Sequence, residues 1–158
     1  MSLDVEDGTG RTTAESYVSV ADADAYHTKF GNTDWTGTTA VKEVALRIAT
    51  RYMDANYTFC GVKQYLAQAL QWPRVGYANY EQFPEPMIVA ACCELARRSL
   101  AGELLEDTTR ELITRETVGP ISTHYAFKDG ETRYVLVDRM LRDLVENNGS
   151  SVRIGFTG

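Results

Sequence analysis

"MIVAACCELARRSLAGELL" (residues 87–105) is apolar on nearly every side as far as Ala96. A helix with no polar face needs neighbours all round it, so residues 86–103 read as the central helix of a bundle. Pro84 or Pro86 opens it, because the first helical position has no use for the N–H that proline lacks. Upstream of a tyrosine-rich loop, "QALQWPRVGY" (residues 68–77) ends a short helix expected over Gln64–Gln71. Pro73 disfavours helical geometry at Trp72 and stops it there. Trp72 is large enough to plug a small core, covering on the order of 200 Å². Arg74 either caps the carbonyls at that helix's negative end or projects toward an acidic partner. Gly76 supplies a tight turn.

Further out the periods are clear. Over Thr39–Tyr57, Val41, Val44, Ala45, Ile48, Tyr52 and Ala55 form one helical stripe, expected to face the core. Leu46 and Met53 fall outside it, as a flank of the core or a surface for a neighbouring subunit. Before them, "SYVSVADADAYHTKFGN" holds a short helix that Ser19 and Asp22 cap and Gly31 ends. Val20, Ala23, Tyr26 and His27 share its inner side. After residue 112 the period changes: Ile121, Thr123, Tyr125 and Phe127 alternate with smaller or polar residues, as on a strand. Gly119-Pro120 bends this segment into a hairpin over 112–127. A last helix over 133–147 presents Tyr134, Val137, Leu141 and Leu144, and "SVRIGF" is an extended tail. The expected architecture is mainly α: a compact bundle of four to five helices (residues 16–148) with a small β-hairpin. A flexible N-terminus (1–15) precedes it and an extended tail (149–158) follows.

The chain has 158 residues and net charge −6, from 16 basic and 22 acidic residues. Nucleic acid is held chiefly by Lys and Arg on phosphate, so this balance opposes a dedicated binder. The basic clusters, Arg97-Arg98 and Arg133, Arg139 and Arg142, alternate with acids or helix surface. Cys60, Cys92 and Cys93 are odd in number and lack Cys-x-x-Cys spacing, which fits reduced cysteines in a cytoplasm and no metal. No apolar run approaches the roughly 20 residues that cross a bilayer. The stretch "GTGRTT" (8–13) lacks the lysine and preceding strand of a phosphate loop. Two histidines, His27 and His124, and the diverging Asp22 and Asp24 build no catalytic constellation. The expectation is no catalysis, no cofactor and no metal.

Taken in order, "SYVSVADADAYH", "ALRIATRYMDANYTFCG", "QALQWPR" with Gly76, "FPEPMIVAACCELA", "ETVGPISTHY" and "YVLVDRMLRDLV" resemble a family of small phage and prophage proteins. These are labelled DnaT-like single-stranded-DNA-binding proteins. The match spans about residues 16–146, and the chain is also similar to the head–tail connector (adaptor, head-completion) proteins of long-tailed phages. The connector resemblance implies a virion neck subunit that forms a ring, dodecameric on the portal. Its partners would be the portal and tail-completion proteins, with DNA passing unbound through the channel and no membrane. The DnaT-like label implies a single-strand binder instead. Such binders combine a basic groove with exposed rings, and near Tyr77, Tyr80 and Phe83 only Arg74 is basic, amid Glu81 and Glu85. The charge balance therefore favours the connector. Under that reading Trp72, Pro73, Arg74 and Gly76 are a structural motif. Leu46, Met53, Ile121, Thr123, Tyr125, Arg153, Ile154 and Phe156 are the expected subunit contacts.

Overall fold

The computed structural model describes residues 2–76, 85–104 and 134–146 in full, and 117–118 and 121–122 as paired backbone. In chain order the elements are α1 (Val20–Phe30), α2 (Thr39–Asn56), β1 (Val62–Lys63), β2 (Arg74–Val75), α3 (Pro86–Ser99), β3 (Thr117–Val118), β4 (Ile121–Ser122) and α4 (Val135–Leu141). The fold is mainly α, with α3 packed against α2, α4 and α1. Its Ile88, Ala91, Cys92, Cys93, Leu95 and Ala96 have no exposed surface, which is why its sequence shows no polar face over that span.

Local chemistry sets the helix ends. The Ser19 side chain accepts the Asp22 N–H at the start of α1, and Gly31 closes it in the left-handed region at φ 67°. Thr38 caps α2 in the same way through the Val41 N–H, and Pro86 opens α3. Val137, Leu141 and Leu144 turn inward from α4 and the turn after it.

The stripe expected to be the core side of α2 is only partly so. Ala45 and Tyr52 are buried, but Val41 and Val44 are exposed, while Leu46, Ala49, Thr50 and Met53 face the core. Small residues at 45 and 49 let α3 approach closely and rotate the buried face toward 46 and 53. Leu46 and Met53 are thus fully covered within one chain, which removes them from any surface a neighbouring subunit can touch.

Three more expectations need correction. Residues 64–71 form no helix. They link β1 to β2, whose antiparallel register pairs Val62 with Val75 and Lys63 with Arg74, and the Gln64 N–H bonds to the Pro73 carbonyl. The final helix stops at Leu141, because Val145 bridges to Phe59 and the Leu144 carbonyl accepts the Cys60 N–H. Residues 2–16 lack periodicity yet are held: Val5 bridges to Ser16, and the Glu6 N–H bonds to the Ser16 carbonyl. Of the expected hairpin, β3 and β4 pair Thr117 with Ser122 and Val118 with Ile121, on either side of Gly119-Pro120. The remainder of 112–127, and the tail from 149, lie outside the described residues.

Candidate functional site: an arm locked by Arg74

Residues 58–76 leave α2, turn back through β1 and β2, and form an arm whose base is buried and whose tip is exposed. Trp72 fills the base: it is 2% exposed, and its ring meets Phe59 edge-on with centroids 5.8 Å apart. The Trp72–Pro73 peptide bond is cis. Arg74 acts within the chain rather than toward a partner. Its guanidinium donates to the carbonyls of Cys60 (2.8 Å), Phe59 (3.0 Å), Gly61 (2.6 Å) and Gln71 (3.3 Å), and to Gln71 Oε1 (3.1 Å). These are loop carbonyls, not the helix end expected from sequence. A planar fork with five donors suits such a set, where an ammonium would not. Gln68 completes the lock, donating to the carbonyls of Leu70 and Pro73 and accepting the Tyr65 N–H. Gly76, at φ 82°, takes the chain out of β2.

Asp54 of α2 ties the arm to the N-terminal segment. Its carboxylate accepts the Tyr17 hydroxyl and the Gln71 N–H (3.1 Å), and the Trp72 N–H reaches the Tyr17 oxygen at 3.4 Å. Burial pushes the Asp54 carboxyl up to about 6; its hydrogen bonds and the charges of Lys63 and Arg74 only partly offset that. The same burial, with the neighbouring Asp54 charge, raises Tyr17.

The glycine-rich stretch 8–13 also has a defined role. The buried Glu6 carboxylate accepts the N–H groups of Gly8 (2.9 Å), Gly10 (2.9 Å) and Arg11 (2.9 Å). This is an anion nest already filled by the chain's own carboxylate. The loop then braces the arm: the Arg11 carbonyl accepts the Ala69 N–H, and Gly10 lies under the Tyr65 ring.

Most described cations have acidic partners. Arg97 pairs with Asp34 (2.8 Å) and Glu94 (3.1 Å), Arg98 with Glu94 (2.6 Å), and Arg47 with Glu15 (2.9 Å). Lys42 pairs with Asp24 and Arg11 with Asp4, both at 2.8 Å. Glu94 resists burial through its two arginines, which hold its carboxyl below the ordinary value. Neighbouring His27, buried between Tyr26 and Trp35, is pushed down by burial. Neither Arg97-Arg98 nor Arg142, which bonds to Asp143, presents a free basic face. Lys29, Arg51, Lys63 and Arg139 make no ion pair with a described residue. Lys29 stands over the Phe30 ring (59% exposed), and Lys63 precedes the exposed Tyr65 (43%) by two residues in the chain.

Cys92 and Cys93 are fully covered, and desolvation raises both thiols, Cys92 to about 11. Among the described residues no three His, Cys, Asp or Glu side chains converge as metal ligands, and no helix is long and apolar enough to cross a membrane. A second surface feature is an open cleft of about 810 Å³ between α2 and the end of α3, lined by Ile48, Arg51, Tyr52, Ala55, Leu100 and Leu104 among others. The remaining predicted contacts, Thr123, Tyr125, Arg153, Ile154 and Phe156, lie outside the described residues, and Ile121 is placed only as the backbone partner of Val118.

A small, mainly α domain with an internally locked arm is the class that these features define. The chain belongs to the family described as "Putative DnaT-like ssDNA binding protein", whose model matches residues 1–156. No curated protein and no solved structure matches it.

The sequence marked Trp72, Pro73, Arg74 and Gly76 as one motif, and the fold places all four at the arm's base. It missed Asp54, Glu6 and Gln68. Asp54 looked like the polar side of an amphipathic helix. No sequence signal set it apart, because its partners, Tyr17 and Gln71, are distant in the chain.

Proposed function

We propose that this chain binds single-stranded DNA, and the family match carries that reading, since it backs it more directly than it backs a connector. The exposed rings of Phe30, with Lys29 beside it, and of Tyr65, two residues after Lys63, support it, because a base stacks on an exposed ring while an ammonium within reach meets phosphate. Few cations are available, so the affinity is modest and salt-sensitive. Anisotropy of a labelled oligothymidine checks this. Binding at low salt should weaken steeply as salt rises, and Phe30→Ala with Tyr65→Ala should weaken it by roughly tenfold or more, stacking being worth about 1–3 kcal/mol per base. Absence of binding at micromolar protein and low salt refutes it.

One observation favours a second reading, a head–tail connector subunit. The net charge is −6, and Arg11, Arg47, Arg97 and Arg98 are already held by acids. A channel wall that DNA slides past must not grip phosphate. Electron microscopy of the chain mixed with portal protein separates the readings, since only a connector forms a ring on the portal axis.

A further inference from the structure

The open cleft between α2 and the end of α3 has Ile48, Tyr52 and Ala55 on one wall and Leu100 and Leu104 on the other. Arg51 and Glu103 add one charge of each sign to its lining. At about 810 Å³ it is as large as many ligand pockets, and along α2 it runs from Ile48 to Ala55, about 10 Å.

The last described residues are directed toward this cleft. Val145 makes an antiparallel bridge to Phe59, the Leu144 carbonyl accepts the Cys60 N–H, and the Glu146 N–H donates to the Thr58 carbonyl at 2.8 Å. From 144 to 146 the chain therefore runs back from residue 60 to residue 58. Its heading is the last turn of α2, where Ala55 stands exposed at the cleft's edge. Residues 147–151 cover up to about 17 Å, enough to pass Tyr57 and Asn56 and bring residue 152 to Ala55. Beyond it, Val152, Ile154 and Phe156 alternate with Arg153, Gly155 and Thr157. An extended conformation puts the three apolar residues on one side and Arg153 on the other. With Arg153 turned to water, Arg51 and Glu103 neither attract nor repel the apolar side. The segment 105–133 also borders the cleft, but its two ends are tied together, since the Tyr134 hydroxyl donates to the Leu104 carbonyl at 2.9 Å. Nothing gives it a heading along the groove.

We propose that the cleft is filled by the C-terminal segment of the same chain, with Val152, Ile154 and Phe156 laid against Ile48, Ala55 and Leu100. A short tether holds this segment at a roughly millimolar effective concentration, so a modest contact keeps it seated. The inference places Ile154 and Phe156 within one subunit rather than between subunits, and it rests on neither functional reading.

Nuclear magnetic resonance of the full chain tests it. Overhauser effects should join the Phe156 ring to methyl groups of Ile48, Leu100 or Leu104. In a mixture of differently labelled chains they should arise within a chain and not between chains. A chain carrying Ile154→Ser and Phe156→Ser should show shifted Ile48 and Leu100 methyl signals, with circular dichroism checking that the helices persist. The apolar dye anilinonaphthalene sulfonate should bind that variant roughly tenfold or more tightly, because a segment seated about nine-tenths of the time leaves only the remainder of the clefts open. Overhauser effects between chains overturn the proposal in favour of a second copy, and effects from residues 105–133 overturn it in favour of that segment. Unmoved methyl signals with unchanged dye affinity show an empty cleft and overturn it outright.

Discussion

Replacing Arg74 by methionine keeps most of the side chain's bulk and removes all of its donors. The carbonyls of Phe59, Cys60, Gly61 and Gln71 then lose the group that gathers them. A hydrogen bond to a charged group contributes about 1.5–3 kcal/mol. Arg74 is half-buried, so water replaces some of these bonds, and the expected net loss is about 2–4 kcal/mol. For a chain of this length that lowers Tm by roughly 5–15 °C. Urea denaturation followed by tryptophan emission reads it directly, since Trp72 lies at the base that Arg74 organises. Arg74→Lys should recover less than half of the loss, because a point charge cannot span four carbonyls. A methionine variant within about 0.5 kcal/mol of wild type, the usual effect of a surface change, would show that the arm does not depend on this fork.

Asp54 makes stability fall with rising pH. Its folded carboxyl titrates at about 6 against an ordinary 3.8, so the folded state holds the proton more tightly and that advantage disappears as pH rises from about 4 to 6. The shift corresponds to at most about 3 kcal/mol. Stability of wild type minus Asp54→Asn, measured across this window, should decline by a substantial part of that amount; a flat difference would contradict the burial argument. Gly10→Ala places a Cβ 2.2 Å from Tyr65 Cδ2 at a backbone φ of +72°. It should destabilise by about 1–3 kcal/mol and speed hydrogen exchange at the Ala69 N–H, which the same loop holds. Unchanged exchange would show that the loop does not brace the arm.

Helix ends and the central helix were legible because their signals are local. Ser19 with Asp22, Gly31 and Pro86 act within a turn, and α3 shows no polar face because it has neighbours on each side. The face of α2 was misread because periodicity reports which residues are apolar, not which partner arrives; Ala45 and Ala49 decide that by letting α3 close in. The arm was misread as a helix because Leu70 and Ala69 favour helix locally. Arg74 instead gathers the carbonyls of Phe59, Cys60, Gly61 and Gln71, and Gln68 holds those of Leu70 and Pro73, which folds the segment back on itself. Single-residue anchors such as Asp54 and Glu6 leave no periodic trace, since their partners are 17 residues away in one case and backbone groups in the other.

The three cysteines divide the molecule for labelling chemistry. Cys92 and Cys93 are inaccessible and have few thiolates at neutral pH, whereas Cys60 is partly open to solvent. A thiol-directed fluorophore or nitroxide therefore reports from one place without any engineering. That place is one residue from Gly61, whose carbonyl the arginine fork holds, so the natural sequence already carries its own reporter on the arm.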